Sequence, residues 1–211
     1  MKILNLYAGI GRNRKLWGDS HEITAVEYKH EIAKIYIEHF PNDMVVLDDA
    51  HDYLLKHYKE FDFIWSSPPC PSHSRIRYTM SEVNKKEGSG LVAHKAIYPS
   101  MKLYEEILFL QGYFKGKWCV ENVIAWYEPL IRPTEFGGHW FWTNFLLRTY
   151  EGGDRAHDKG IAALEERKGF DLKDYKGVDK RLLLRNCVEP ELGKHILDLA
   201  INPIQVQSSI F

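Results

Sequence analysis

Ile3-Leu4-Asn5-Leu6-Tyr7-Ala8-Gly9-Ile10-Gly11 is the stretch on which the fold turns: a short apolar run passes straight into a glycine turn. The run predicts a buried strand, and glycine lets the chain reverse tightly after it. Outward from there, Arg12 to Trp17 is predicted to start a helix, and Glu22 to Val26 to form a second strand ending at Glu27. Glu31 to Phe40 has helical spacing, with Ile32, Ile35, Tyr36 and His39 recurring at three and four, and Pro41 stops it. Met44 to Leu47 reads as a third strand closed by Asp48-Asp49, Asp52 to Lys59 as a short helix, and Phe61 to Trp65 as a fourth strand. This alternation predicts an α/β fold with a mostly parallel, Rossmann-like sheet and helices on both faces.

Residues 75–98 lack clear periodicity and include the polar stretch Asn84-Lys85-Lys86-Glu87-Gly88-Ser89-Gly90. A long loop is more often functional than idle. Pro99 to Phe114 is predicted as a helix and Lys117 to Val120 as the fifth strand. Gly138 to Leu147, rich in aromatic and β-type residues, reads as one strand or a hairpin. Gly152 to Asp179 is charged and weakly apolar, which predicts a surface excursion. Glu189 to Ile201 closes the pattern as a helix with Leu192, Ile196, Leu197 and Ala200 on one face.

The 211 residues suffice for one α/β domain with a real core. Hydrophobic content of 45% and charged content of 27% fit an ordinary globular protein. Formal net charge is −1, so nucleic-acid binding has to come from a local basic surface. No apolar run approaches the ~18 residues that span a bilayer, and the N-terminus has no signal-peptide layout. Cys70, Cys119 and Cys187 form no C-x-x-C pair, so a reducing, cytoplasmic setting is expected, with no disulfide framework. The histidines His51, His57, His139 and His157 show no ligand spacing, and no metal is expected.

Pro68-Pro69-Cys70-Pro71 sets a single cysteine among three prolines directly after the fourth strand. Proline fixes φ and restricts the residue before it, so the thiol is held in place. A lone cysteine is more often a buried packing residue, but these prolines force a loop. The thiolate is the reactive form, so the site is expected to supply positive charge or a helix N-terminus, and His73, Arg75 and Arg77 lie just downstream to do so. A Cys70/His73 hydrolase or acyl-transfer pair competes with this reading, and no orienting partner or oxyanion hole is identifiable for it.

The fifth strand runs into Glu121-Asn122-Val123. Glu121 is read as a carboxylate that stays protonated or shares a proton in a partly buried site, against the plainer reading of an exposed strand end. Ligands of open α/β sheets bind outside the carboxyl ends of the strands, where Cys70 and Glu121 can converge on one substrate. The glycine turn suits an adenosyl or nucleotide ligand, although a G-x-G string serves equally as a plain tight turn. Glu27 is placed to accept from ribose hydroxyls, or is a solvated strand end. Asp49 could accept from an adenine amino group, or Asp48 or Asp49 simply caps the next helix. Cys119 and Cys187 are expected to be inert, and Trp140-Phe141-Trp142 to be core. Lys85, Lys86, Lys95 and Lys102 are candidates for phosphate contacts or ordinary surface.

In this order, the Tyr-Ala-Gly-Ile-Gly turn, an acid after strand two, Asp-Asp after strand three, Pro-Pro-Cys and Glu-Asn-Val resemble the DNA cytosine-5 methyltransferases. Leu184-Arg185-Asn186-Cys187-Val188-Glu189-Pro190 is similar to that family's C-terminal motif. The resemblance covers roughly residues 3–123 and 182–201, and the small size is similar to bacteriophage-type members. It implies an S-adenosylmethionine-dependent methyltransferase fold, with S-adenosylhomocysteine as coproduct. Cys70 would add to carbon 6 of a flipped cytosine and Glu121, beside Asn122, would hold the ring at N3. Tyr7, Ala8, Gly9, Ile10, Gly11, Glu27, Tyr28, Asp49, Ala50, Pro69, Asn186 and Val188 would surround the cofactor. The loop from Ser72 to about Leu91 would close over a base extruded from the duplex.

Two departures stand out. Pro71 replaces the family's usual Gln after Pro-Cys, and the family's arginine-rich strand is not evident. His139-Trp140-Phe141-Trp142-Thr143-Asn144 stands there instead, so Arg75 or Arg77 is expected to substitute.

The resemblance divides the chain into a catalytic and cofactor-binding domain (1–145), a minimal target-recognition insertion (146–181) and a returning C-terminal segment (182–211). An insertion this short implies a partner chain or homodimer for recognition, or low specificity. DNA is the expected partner, with no membrane, in the cytoplasm of a bacterium or a phage-infected host. A related cytosine methyltransferase acting on RNA or single-stranded DNA, and a non-catalytic cofactor- or DNA-binding homologue, are the alternatives.

Overall fold

The computed structural model describes residues 1–75, 98–148, 150, 160–185 and 188–202. Its strands are β1 (Lys2–Leu6), β2 (Glu22–Val26), β3 (Met44–Val46), β4 (Phe63–Ser66), β5 (Lys117–Val123), β6 (Thr134–Phe136) and β7 (His139–Thr143). Its helices are α1 (His30–His39), α2 (Ala50–His57), α3 (Lys102–Tyr113), α4 (Ile161–Lys168), α5 (Lys180–Arg185) and α6 (Pro190–Ile201). The strands form one sheet in the order β3-β2-β1-β4-β5-β7-β6. β1 to β5 pair in parallel, and β7 runs antiparallel to both β5 and β6. The Rossmann-like, mostly parallel α/β fold read from the sequence is the fold observed.

Helices cover both faces, which is why the central strands are apolar nearly throughout rather than alternating. Leu4, Leu6, Val26, Ile64 and Val120 on one face pack with Leu54 of α2 and Leu103, Ile107 and Leu110 of α3. Ile3, Ile23, Phe63, Trp65, Cys119 and Phe141 on the other face pack with Leu192, Ile196 and Leu197 of α6. Tyr36 of α1 covers Ala25 on that second face. Trp140, Phe141 and Trp142 are all buried, as expected. Among the described residues no helix is long and apolar enough to cross a membrane.

Three expectations need correction. Arg12 to Trp17 forms successive turns, closed by Lys15 N–H to Arg12 O and Trp17 N–H to Arg14 O, and no α-helix. Its consecutive side chains Arg12, Asn13 and Arg14 are all buried, which one face of a helix cannot achieve. Arg12 donates to Leu184 O and Glu189, Asn13 to Asn5, and Arg14 to both oxygens of Asp43. These tertiary bonds override local propensity.

The fifth strand continues through Val123, because β7 pairs with it from Cys119 to Val123. Glu121 therefore lies inside the strand rather than beyond its end. The excursion after 152 is not all surface either. Leu164, Phe170 and Leu172 are buried against Ile10 and Ile35, beside Leu184. The predicted strand or hairpin at 138–147 is the second arm of a hairpin that begins at Thr134. Gly137 and Gly138, both at positive φ (54° and 80°), make its two-residue turn.

Candidate active site

β4 delivers the chain into Pro68-Pro69-Cys70-Pro71 at the carboxyl end of the sheet. Pro68 is buried, Pro69 exposed and Cys70 half-buried. The Cys70 carbonyl accepts from the N–H groups of His73 and Ser74, so a turn follows the cysteine at once. The segment leaving β5 then fastens this loop. Asn122 Nδ2 donates to Pro68 O at 2.9 Å and Trp126 Nε1 to Ser72 O at 3.2 Å. Trp126 N–H donates to His73 O, and Arg75 Nε donates to Ala125 O at 2.9 Å. Two adjacent parallel strands thus hold the cysteine between them.

Glu121 is buried on β5, with Oε1 2.5 Å from His139 Nδ1 of β7. Burial pushes the Cys70 thiol up, and the charge of Glu121 pushes it further in the same direction. Cys70 follows β4, and Glu121 lies on the adjacent parallel strand β5. Cys119, fully buried in β5, is raised well above the ordinary thiol range and has no exposed surface to react through.

The positive charge expected from His73 is absent. His73 is buried, and burial favours its neutral form. Its Nδ1 lies 2.6 Å from Tyr127 Oη, which in turn accepts from Tyr104 Oη at 3.2 Å, and its buried Nε2 has no partner among the described residues. His73 pins the loop instead of charging it. Asn122 is likewise a fastener of the Pro68 carbonyl. Arg75 is exposed and reaches the Ala125 carbonyl. Arg77, Asn186, Cys187, His157, Lys85, Lys86 and Lys95 lie outside the described residues.

The residues read as cofactor-binding cluster at the carboxyl ends of β1, β2 and β3. Glu27 accepts from the N–H of Gly9 at 3.0 Å and of Lys29 at 2.9 Å, tying the glycine turn to the end of β2. Gly9 and Gly11 sit at positive φ (56° and 77°), and Tyr7 shares that region at 55°. A side chain at Gly11 would collide with the rings of Phe40 and Tyr36. Asp49 caps α2 through the N–H groups of His51 and Asp52. Burial pushes its carboxyl up, but the Asp52 N–H, Lys102 and His51 outweigh that and hold it below the usual range. Ala8, Ile10, Ala50 and Val188 are buried in the core, so only their backbone could meet a ligand. Tyr28 is 77% exposed and free to pack on one.

Sequence reasoning missed Glu106. This fully buried carboxylate of α3 accepts from Tyr7 Oη and Ser66 Oγ, each at 2.6 Å, and lies 3.1 Å from His51 Nδ1. It joins the ends of β1 and β4 to the start of α2. The hydrogen bond to Glu106 raises His51, whereas burial, then Glu106, raises Tyr7 far above an ordinary phenol. A signal existed: Glu106 falls three after Leu103 and four before Leu110, inside the apolar stripe of α3. Among the described residues no group of His, Cys, Asp and Glu could hold a metal.

Residues 1–94 match the family model for C-5 cytosine-specific DNA methylase. That segment contains the glycine turn, Glu27, Asp49 and Cys70, and the family resemblance holds there. Glu121, Asn122 and Val188 lie beyond it. No curated protein sequence matches the chain. Among solved structures, a mutant of Spodoptera frugiperda DNMT2 is 18% identical, over 75% of this chain and 56% of that one, with a TM-score of 0.45. The Entamoeba histolytica methyltransferase EhMeth is 11% identical, over 77% of this chain and 62% of that one, with a TM-score of 0.44. TrmN from Thermus thermophilus is 13% identical, over 58% and 33%, with a TM-score of 0.37.

Proposed function

We propose that this chain is a cytosine-5 methyltransferase that uses S-adenosylmethionine to modify cytosine in DNA through a covalent bond from Cys70 to carbon 6 of a flipped base. What supports this reading is that Cys70 follows β4 and Glu121 lies on the adjacent parallel strand β5, whose Asn122 fastens the Pro68 carbonyl of the cysteine loop. Stacked bases are out of reach of a thiol, so the target has to leave the duplex.

The residues over β1 to β3 suit an adenosyl group. Each Glu27 oxygen accepts one backbone N–H and keeps capacity for a ribose hydroxyl. The part-exposed Asp49 offers an acceptor after β3, with Ala50, Tyr28 and the backbone of residues 7–11 around it. When bound, the cofactor supplies an electrophilic methyl group on sulfur and leaves as S-adenosylhomocysteine. Pro69 borders Cys70, where that methyl group has to meet carbon 5.

Cys70 gives its proton to solvent water and its sulfur pair bonds carbon 6, which makes carbon 5 enamine-like. Glu121 donates a proton to N3 and steadies the altered ring. Asn122 keeps Cys70 in place through Pro68. The division into 1–145, 146–181 and 182–211, with recognition helped by a second copy or partner chain, belongs to this reading.

The test supplies labelled S-adenosylmethionine with duplex DNA, single-stranded DNA and RNA, and seeks 5-methylcytosine after digestion. Product on duplex DNA is expected, with Cys70→Ser abolishing it while cofactor binding persists. A Cys70→Ser protein that methylates at the wild-type rate refutes the mechanism. Product confined to RNA or single strands reassigns the substrate.

A further inference from the structure

Glu121 does not stand alone in the site. Its Oε1 lies 2.5 Å from His139 Nδ1, within direct hydrogen-bond reach. The register explains it: Glu121 faces Phe141 and Val123 faces His139 across the β5–β7 pair. Glu121 and His139 share one face of the sheet and meet diagonally. Glu121 is faced by Cys70 from the β4 loop, Cys119 from its own strand and His139 from β7. His139 is faced by Glu121 and the ring of Phe141. Among the described residues, His139 is the basic group paired with Glu121. Its side chain is one quarter exposed, so it can exchange protons with solvent.

We infer that His139 is the proton-holding partner of Glu121: it keeps a proton available on that carboxyl and keeps the negative charge of Glu121 from opposing the Cys70 thiolate. The inference rests on the reaction proposed above and adds a residue to it. As the sulfur pair forms the bond to carbon 6, the carbon 5–carbon 6 π pair shifts to carbon 4–carbon 5. The carbon 4–nitrogen 3 π pair then takes the Glu121 proton. The carboxylate left behind is held by the Nδ1–H of His139. After methylation, solvent water removes the carbon 5 proton and the carbon 5–carbon 6 double bond re-forms. The carbon 6–sulfur pair returns to Cys70, and N3 hands its proton back to Glu121. His139 finishes as it began.

Three variants test this: His139→Gln, His139→Arg and Glu121→Gln. One readout is turnover against pH. The other is the rate at which iodoacetamide alkylates Cys70, followed by mass spectrometry of its peptide without cofactor or DNA. His139→Gln is expected to lower kcat about a hundredfold, within the usual range for an acid–base group. It is also expected to move the alkaline fall of turnover toward acid and to slow Cys70 alkylation several-fold, with cofactor affinity unchanged. His139→Arg, which keeps a cation against Glu121, should restore much of the alkylation rate. Glu121→Gln should alkylate faster than wild type.

A His139→Gln protein with wild-type pH profile and alkylation rate overturns the inference. So does one that loses turnover while both of those stay fixed, since His139 is then only structural. If wild type makes no 5-methylcytosine but alkylation responds as stated, the proposed reaction fails and the proton-holding pair stands.

Discussion

His73 shows how one buried ring can serve a site without entering its chemistry. Its Nδ1 bond to Tyr127 and its backbone bonds to Cys70 and Trp126 make it a peg for the loop. Burial lowers its proton affinity in the folded chain, so between its folded value and the ordinary ~6.5 the unfolded chain binds more protons. Its contribution to stability is therefore complete above about pH 6.5 and drains away as pH falls through that value. His51, raised by Glu106, acts in the opposite sense, its contribution being lost as pH rises through its folded value. The informative quantity is thus the difference between wild type and His73→Gln. Urea midpoints at pH 7.5 and 5.5 should fall further on acidification in wild type than in the variant. Tyr127→Phe, which leaves a buried nitrogen without its partner, should cost about 1–3 kcal/mol in the same measurement.

At the level of elements, the site depends on β4 and β5 being adjacent and parallel. Asn122→Ala removes the bond to Pro68 O. A loss of about 1 kcal/mol of stability is expected. Turnover should fall with cofactor affinity unchanged, because β1, β2 and Glu27 are untouched. Equal losses in both would mean that the loop and the glycine turn are not independent.

The parts of this arrangement written locally were legible in the sequence. Apolar runs set the strands, prolines set the loop and Asp49 capped the helix it precedes. What stayed hidden depends on pairing between distant segments. Nothing near Glu121 announces His139, because antiparallel pairing of β7 with β5 makes that contact. Nothing near Arg12 announces Leu184, whose carbonyl turns a presumed helix start into buried turns. The charge expected from His73 failed for the same reason, since burial is a property of the assembled loop.

For the whole molecule, the buried cations Arg12 and Arg14 act as ties between remote parts of the chain. Arg12 is fully buried and donates to Leu184 O and to Glu189, which Lys168 also holds. Arg12→Met should destabilise the protein by about 1–3 kcal/mol, because it leaves the buried Leu184 carbonyl without its donor while Lys168 still holds Glu189. A shift of the urea midpoint too small to match that value would mean that the pair contributes little once solvation is counted.

That tie also fixes when the fold can be completed. The residue just after the glycine turn is anchored to partners 172 and 177 positions later. Contacts of such span form late, since loop closure precedes their reward. A nascent chain leaving the ribosome exposes its glycine turn early but cannot lock it until the segment carrying Leu184 and Glu189 has emerged. Synthesis itself thereby delays the closing of the glycine turn.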